Sequence, residues 1–260
     1  MYTGLDNDPD MLATARELHA NQPDAAFVEG DLRGSPPCGH FDIIYSCGVP
    51  LSHVTSAELT EYLTALCFNI RKNGKPTLAI LDVLGRYSIE WTTKWTHNRW
   101  DYRMSFFVGG DSLGPATMTF HDSNSLQAAV REATTKSGCT VRNFRCFDRS
   151  ISVGRHMTTG EFNGGLPDFR TRINQLYEAN PDMASCLEGL RFPDHLPDTC
   201  PRHVADFFAT YSSAWNYLLE SAPSRVAATD TAEALRRLEL AMQPGLGVGH
   251  TLIASAVIQP

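Results

Sequence analysis

At 260 residues the chain is long enough to bury a full core, so one α/β domain with a large insertion, or two small domains, is expected. Hydrophobic residues make up 42% and charged residues 20%, a composition that excludes disordered and fibrous classes. The formal net charge of -7, with no Lys/Arg cluster denser than Arg236-Arg237, argues against nucleic acid as a partner.

In chain order, Tyr2 to Asp6 reads as a short strand ending in an acid. Asp8 can cap a helix whose first residue is Pro9 and whose apolar face carries Met11, Leu12, Ala15 and Leu18. Ala25 to Val28 is a second strand, leading into Gly30-Asp31-Leu32. A Pro/Gly-rich loop, 33–40, precedes a third apolar strand from Phe41 to Ser46. Thr55 and Glu58 form a capping box ahead of Leu59, Tyr62, Leu63, Leu66 and Ile70 at helical spacing, and Asn73-Gly74 ends that helix. Pro76 to Val83 is a further apolar strand. This alternation predicts a mostly parallel, right-handed α/β sheet with helices on both faces.

The pattern then changes. Residues 86–121 form an aromatic lid rich in Trp, with strands at Arg103 to Val108 and Ala116 to Phe120. Asp122 to Ser137 reads as a helix and Thr140 to Val153 as one or two strands. From Thr158 to Gln243 the pattern is helical, clearest at Arg202 to Glu220 with Val204, Phe207, Phe208, Tyr211, Trp215 and Leu218 on one face. Asp230 and Glu233 read as the cap of a last helix, and Leu252 to Ile258 as a closing strand. The organisation expected is an α/β core over 1–157, a helical cap insertion over 158–243 that covers the substrate, and a return to the core over 244–260.

Seven cysteines are scattered without a Cys-x-x-Cys spacing, so no metal site or redox pair is expected, and a reducing, cytoplasmic setting fits. No apolar run approaches the ~20 residues of a membrane span, and no membrane partner is expected. Gly245-Leu-Gly-Val-Gly249 precedes a strand rather than a helix, so it is not read as a phosphate loop.

The chemistry-bearing residues begin with Asp6 and Asp31. An acid at the end of one strand and a second acid after the next suit a nucleoside lying across a parallel sheet, the first taking ribose hydroxyls and the second an adenine amine. Asp6, Gly30-Asp31-Leu32 and Phe41-Asp-Ile-Ile-Tyr-Ser-Cys-Gly48, in this order and spacing, resemble the cofactor half of a class I S-adenosylmethionine (SAM) methyltransferase. The resemblance implies a Rossmann-like fold, SAM as cofactor and methyl transfer to O, N or C of a small, aromatic or polar metabolite. It implies that Asp6 binds the ribose diol, that Asn7 to Met11 pack against adenine, and that Asp31 and Leu32 hold the adenine edge. Ser46 and Cys47 would then pass beneath the methionine part. His53 and His97 are the candidate bases, and Trp91, Trp95, Trp100, Tyr102 and His156 the candidate substrate contacts. The family's first strand and glycine-rich turn have no counterpart before Asp6; the reading expects an upstream stretch to supply them, and allows a homo-oligomer. A scaffold protein that has lost the cofactor loop and an NAD-type Rossmann enzyme are the competing readings.

Overall fold

The computed structural model describes residues 1–102, 115–152, 169–178, 183–192, 196–221 and 228–260. Strand β1 (Tyr2–Asp6), helix α1 (Pro9–Leu18) and strand β2 (Ala25–Glu29) open the chain, and β1 and β2 pair in parallel as a two-stranded sheet. The Asp8 carboxylate accepts the Asp10 and Met11 N–H groups, closing the start of α1 as its sequence requires. Strand β3 (Ile43–Tyr45) follows, then α2 (Ser56–Asn73) and β4 (Thr77–Gly85). The capping box of Thr55 and Glu58 is formed, and Gly74, at φ 68°, ends α2 in the left-handed conformation that glycine adopts without strain.

After a 3-10 segment at Ile89–Lys94 come β5 (Arg99–Tyr102), β6 (Ala116–His121), α3 (Ser123–Ser137) and β7 (Thr140–Arg149). Helices α4 (Phe169–Tyr177), α5 (Met183–Glu188), α6 (Arg202–Glu220) and α7 (Ala228–Ala241) follow, and β8 (Thr251–Gln259) closes the chain. The second sheet has the order β5-β6-β4-β8-β7, with β3 also paired to β4. Strands β3 and β6 run parallel to β4, whereas β8 is antiparallel to both β4 and β7. Four strands therefore share one direction, and β5 and β8 oppose it. This is the expected α/β, Rossmann-like class.

Strand β5 pairs with β6, Arg99 with Thr119 and Tyr102 with Ala116; the strand expected at Arg103 to Val108 lies outside the described residues. Two expected boundaries are corrected. The third strand is shorter than Phe41 to Ser46, since its ladder with β4 reaches only from Ile43 to Tyr45. The last helix begins at Ala228, so Asp230 sits within its first turn rather than at its cap.

Two cores result. One joins α2 and α3 to a single face of the sheet through Leu59, Leu63, Leu66, Val83, Leu126, Val130, Leu252 and Ala254. The other gathers Trp91, Trp95, Trp100 and Phe120 with Phe208, Tyr211 and Trp215 of α6. Trp95 stacks on Phe208 with centroids 6.0 Å apart, so the amphipathic helix α6 packs on the Trp-rich segment. Paired residues of neighbouring strands share a face. By that rule Ile43, Tyr45, Leu78, Ile80, Ile253 and Phe147 lie on the face away from α2 and α3. Ile43, Tyr45 and Phe147 are 56%, 54% and 41% exposed, so part of this apolar face meets solvent.

Candidate active site

The two acids singled out in the sequence stand at the carboxyl ends of adjacent strands. Asp6 pairs with Glu29, and the Gly30 N–H donates to the Asp6 carbonyl at 2.9 Å, which sets Asp31 just beyond the end of β1. Asp6 Oδ1 accepts the Asp8 N–H at 3.0 Å, and its other oxygen takes no hydrogen bond from the described residues. Asp31 Oδ1 accepts the Arg33 N–H at 2.7 Å, while the Leu32 N–H has no partner among the described residues. This set provides an acceptor for a diol, an acceptor for an amine and a donor for a ring nitrogen, all near solvent. It fits a nucleoside. Asn7 and Met11 are exposed beside Asp6, on the turn into α1 and on its first turn.

Arg33 ties this end to the next segment. Its Nε donates to Glu58 Oε1 at 3.2 Å and its Nη1 lies 3.5 Å from Asp31 Oδ2. Its Nη2 reaches the His53 carbonyl at 3.5 Å. Burial, and then the Arg33 charge, lower the His53 pKa, so its imidazole is neutral near neutral pH. Its ring makes no hydrogen bond to a described residue. His97 is exposed just after the 3-10 segment, and its Nδ1 is bonded to Thr96 Oγ1 at 3.0 Å. Of the two candidate bases, only His53 is brought next to the Asp31 end.

Ser46 and Gly48 are fixed to β4. Ser46 Oγ accepts the Asp82 N–H at 2.8 Å, and the Gly48 N–H donates to Asp82 Oδ2 at 3.1 Å. Between them, Cys47 is an exposed free thiol. The Trp-rich residues are placed elsewhere. Trp91, Trp95, Trp100 and Tyr102 are buried, and the Trp91 and Trp95 N–H groups donate to the Gly85 and Ser88 carbonyls. They serve as core beneath the helices, not as an open wall. His156 lies outside the described residues.

Sequence reasoning missed five polar groups. Asp82, inside β4, is 3% exposed; a lone acid in an otherwise apolar strand was the available signal. His121, at the end of β6, is buried with both ring nitrogens unpaired among the described residues, and burial drives its pKa down to about 4. Glu90 and His250 are buried and hydrogen-bonded to each other through Oε2 and Nδ1, with Tyr102 Oη 3.4 Å from His250 Nε2. Asp148 explains the glycine-rich stretch: its carboxylate accepts the N–H groups of Leu246, Gly247 and Gly249 at 2.7, 2.8 and 3.1 Å. The loop is an anion cradle whose anion is the chain's own side chain, so its rejection as a phosphate loop stands on geometry as well. Among the described residues no group of three metal-binding side chains occurs, and no helix is long and apolar enough to cross a membrane.

Residues 1–74 match the sequence model of the methyltransferase domain. No curated protein matches the chain. Among solved structures, an S-adenosylmethionine-dependent methyltransferase from Clostridium acetobutylicum ATCC 824 is 13% identical, with a TM-score of 0.38 over 55% of this chain and 65% of its own. SAM-bound CalS10, an amino pentose methyltransferase from Micromonospora echinaspora, is 16% identical, with a TM-score of 0.35 over 59% of this chain and 70% of its own. The cyclopropane synthase MmaA2 from Mycobacterium tuberculosis is 12% identical, with a TM-score of 0.38 over 99% of this chain and 69% of its own. The chain thus spans slightly under two thirds of the Clostridium structure's length. The matched residues 1–74 hold Asp6, Asp31, Ser46 and Cys47, so the similarity to a methyltransferase domain falls on the segment that carries the candidate site.

Proposed function

We propose that this chain acts as a SAM-dependent methyltransferase on a small-molecule acceptor. The observation that carries the reading is the placement of Asp6 and Asp31 at the ends of the paired strands β1 and β2, within the segment that matches the methyltransferase domain. The free oxygen of Asp6 would hold the ribose diol; Asp31 and the Leu32 N–H would hold the adenine edge. When bound, the cofactor supplies an electrophilic methyl group. The chain's own part is to position the acceptor in line and to exclude water. An acceptor that must lose a proton would pass it to His53, whose neutral imidazole lies near the Asp31 end. Helices α4 to α7 would act as a cap insertion over the Trp-rich core, and the 244–260 segment as the core's closing strand.

Isothermal titration with SAM, S-adenosylhomocysteine and NAD tests the reading. The expected result is binding of the two sulfur nucleosides in the micromolar class, on the order of −8 kcal/mol, and none of NAD. Tighter binding of NAD, or a folded protein that binds neither sulfur nucleoside, would overturn it.

A further inference from the structure

Three buried polar atoms on neighbouring strands have no hydrogen-bond partner among the described residues: Asp82 Oδ1 on β4, Thr251 Oγ1 on β8 and Arg149 Nε on β7. The strand register puts them together. Thr251 pairs with Arg149 on one side and with Leu84 on the other, and Asp82 lies two residues before Leu84. All three side chains therefore stand on one face, that of Ile80 and Ile253. The Arg149 guanidinium faces the Asp82 carboxylate, with Nη2 3.9 Å from Oδ2. Asp82 and Thr251 are each 3% exposed, whereas the Arg149 side chain is 34% exposed, so the cluster is reached from solvent past the arginine.

A carboxylate in this position is costly unless its lone pairs are used. Asp82 spends one oxygen on the Gly48 N–H and on Arg149; the other asks for a donor. Arg149 Nε asks for an acceptor, and Thr251 can serve either. A ligand that satisfies the set carries an ammonium beside a carboxylate. The location ties this chemistry to the proposed reaction, because Asp82 is bonded through both backbone and side chain to Ser46 and Gly48.

We propose that Asp82, Arg149 and Thr251 form a subsite for an amino-carboxylate, Asp82 holding the amine and Arg149 the carboxylate. The inference rests on the methyltransferase reading. Amino-carboxylate chemistry could be presented by an amino-acid acceptor or by the methionine end of the cofactor itself. For an amine acceptor held here, Asp82 rather than His53 would take the proton: the ammonium first passes one proton to the Asp82 carboxylate, and the neutral nitrogen then bonds to the methyl carbon as the carbon–sulfur bond breaks onto sulfur, leaving an N-methylammonium and the neutral thioether.

The experiment uses the full-length protein and four probes: glycine, N-methylglycine, S-adenosylhomocysteine and 5′-methylthioadenosine, the last lacking the amino-carboxylate. Binding is read by saturation-transfer NMR and isothermal titration for the wild type, Asp82→Asn, Arg149→Met and the near-isosteric Thr251→Val, with thermal melts to confirm folding. The expected result is saturable amino-acid binding that Asp82→Asn and Arg149→Met each weaken at least tenfold, with S-adenosylhomocysteine changed less than twofold. A tenfold loss for S-adenosylhomocysteine but not for methylthioadenosine assigns the same subsite to the cofactor's methionine. Folded variants that leave every probe's affinity unchanged overturn the proposal. A wild type that binds neither sulfur nucleoside sinks the function reading instead, which separates the two failures.

Discussion

Acidification should destabilise the protein through His121, by an amount that the structure sets. Both of its ring nitrogens are buried without a partner, and folding lowers its pKa from 6.5 to about 4, chiefly by desolvation and against the pull of the Asp122 carboxylate. The unfolded imidazole therefore takes up its proton first as the pH falls below about 6.5, while the folded one stays neutral. Above that pH the residue adds no pH dependence; between 6.5 and 4 the folded state loses ground continuously. At about 1.4 kcal/mol per unit of pKa shift, the loss amounts to roughly 2 kcal/mol at pH 5 and approaches about 3 kcal/mol below pH 4. Asp148 contributes with the opposite sign, since burial raises its pKa and protonation at low pH favours the folded form. A paired comparison removes this term. Urea unfolding of the wild type and of His121→Leu, at intervals from pH 7.5 to 4.5, should give curves that diverge by about 2 kcal/mol at pH 5. The variant should be the less pH-sensitive. Parallel curves would mean that His121 is hydrated or paired in the native protein, and the argument would fail.

Asp6→Ala should weaken S-adenosylhomocysteine binding by about 1–3 kcal/mol, the cost of losing hydrogen bonds to a charged group. An unchanged dissociation constant in titration calorimetry would remove the ribose role. Gly247→Ala should destabilise by about 1–3 kcal/mol, because Gly247 has φ 89° and an added Cβ would stand 2.7 Å from the His121 carbonyl. An unshifted urea midpoint would show that the loop can relax. The exposed Ile43, Tyr45 and Phe147 should bind a hydrophobic dye in the native protein, and Ile43→Lys with Phe147→Lys should abolish most of that fluorescence. Equal dye binding by the double variant would place the apolar surface elsewhere.

What the sequence made legible follows from local rules. Asp8 with Pro9, Thr55 with Glu58 and Gly74 act within a turn of their own position, so α1 and α2 were readable at their ends. Asp6 and Asp31 stood out because the first ends one short strand and the second follows the next by two residues. The Asp82 cluster was not, because nothing in the chain order tells that residues 82, 149 and 251 meet. Their encounter depends on β8 slotting antiparallel between β4 and β7, a register fixed only by the folded sheet. The tryptophans misled for a related reason. A run of aromatic residues after a strand suits a lid or a core equally, and only the hydrogen bonds of Trp91 and Trp95 to backbone carbonyls decide for the core.

Side chains, not a backbone ladder, join the two parts of the candidate site. Asp6 and Asp31 belong to the β1–β2 sheet, whereas Asp82 and Arg149 belong to the six-stranded one, and no backbone ladder joins the two among the described residues. Their relative position rests on side chains. Arg33 reaches Glu58 and the His53 carbonyl, and Asn69 and Asn73 donate to the Pro37 and Gly39 carbonyls. Each such bond is worth about 0.5–1.5 kcal/mol net, and most lie near solvent. A β-ladder, by contrast, fixes strands through a row of bonds that break together. The Asp6–Asp31 end is therefore held to the Asp82 end more weakly than either is held within itself. Arg33 is the residue on which this weaker link converges, because it alone among these touches Asp31, Glu58 and His53 together.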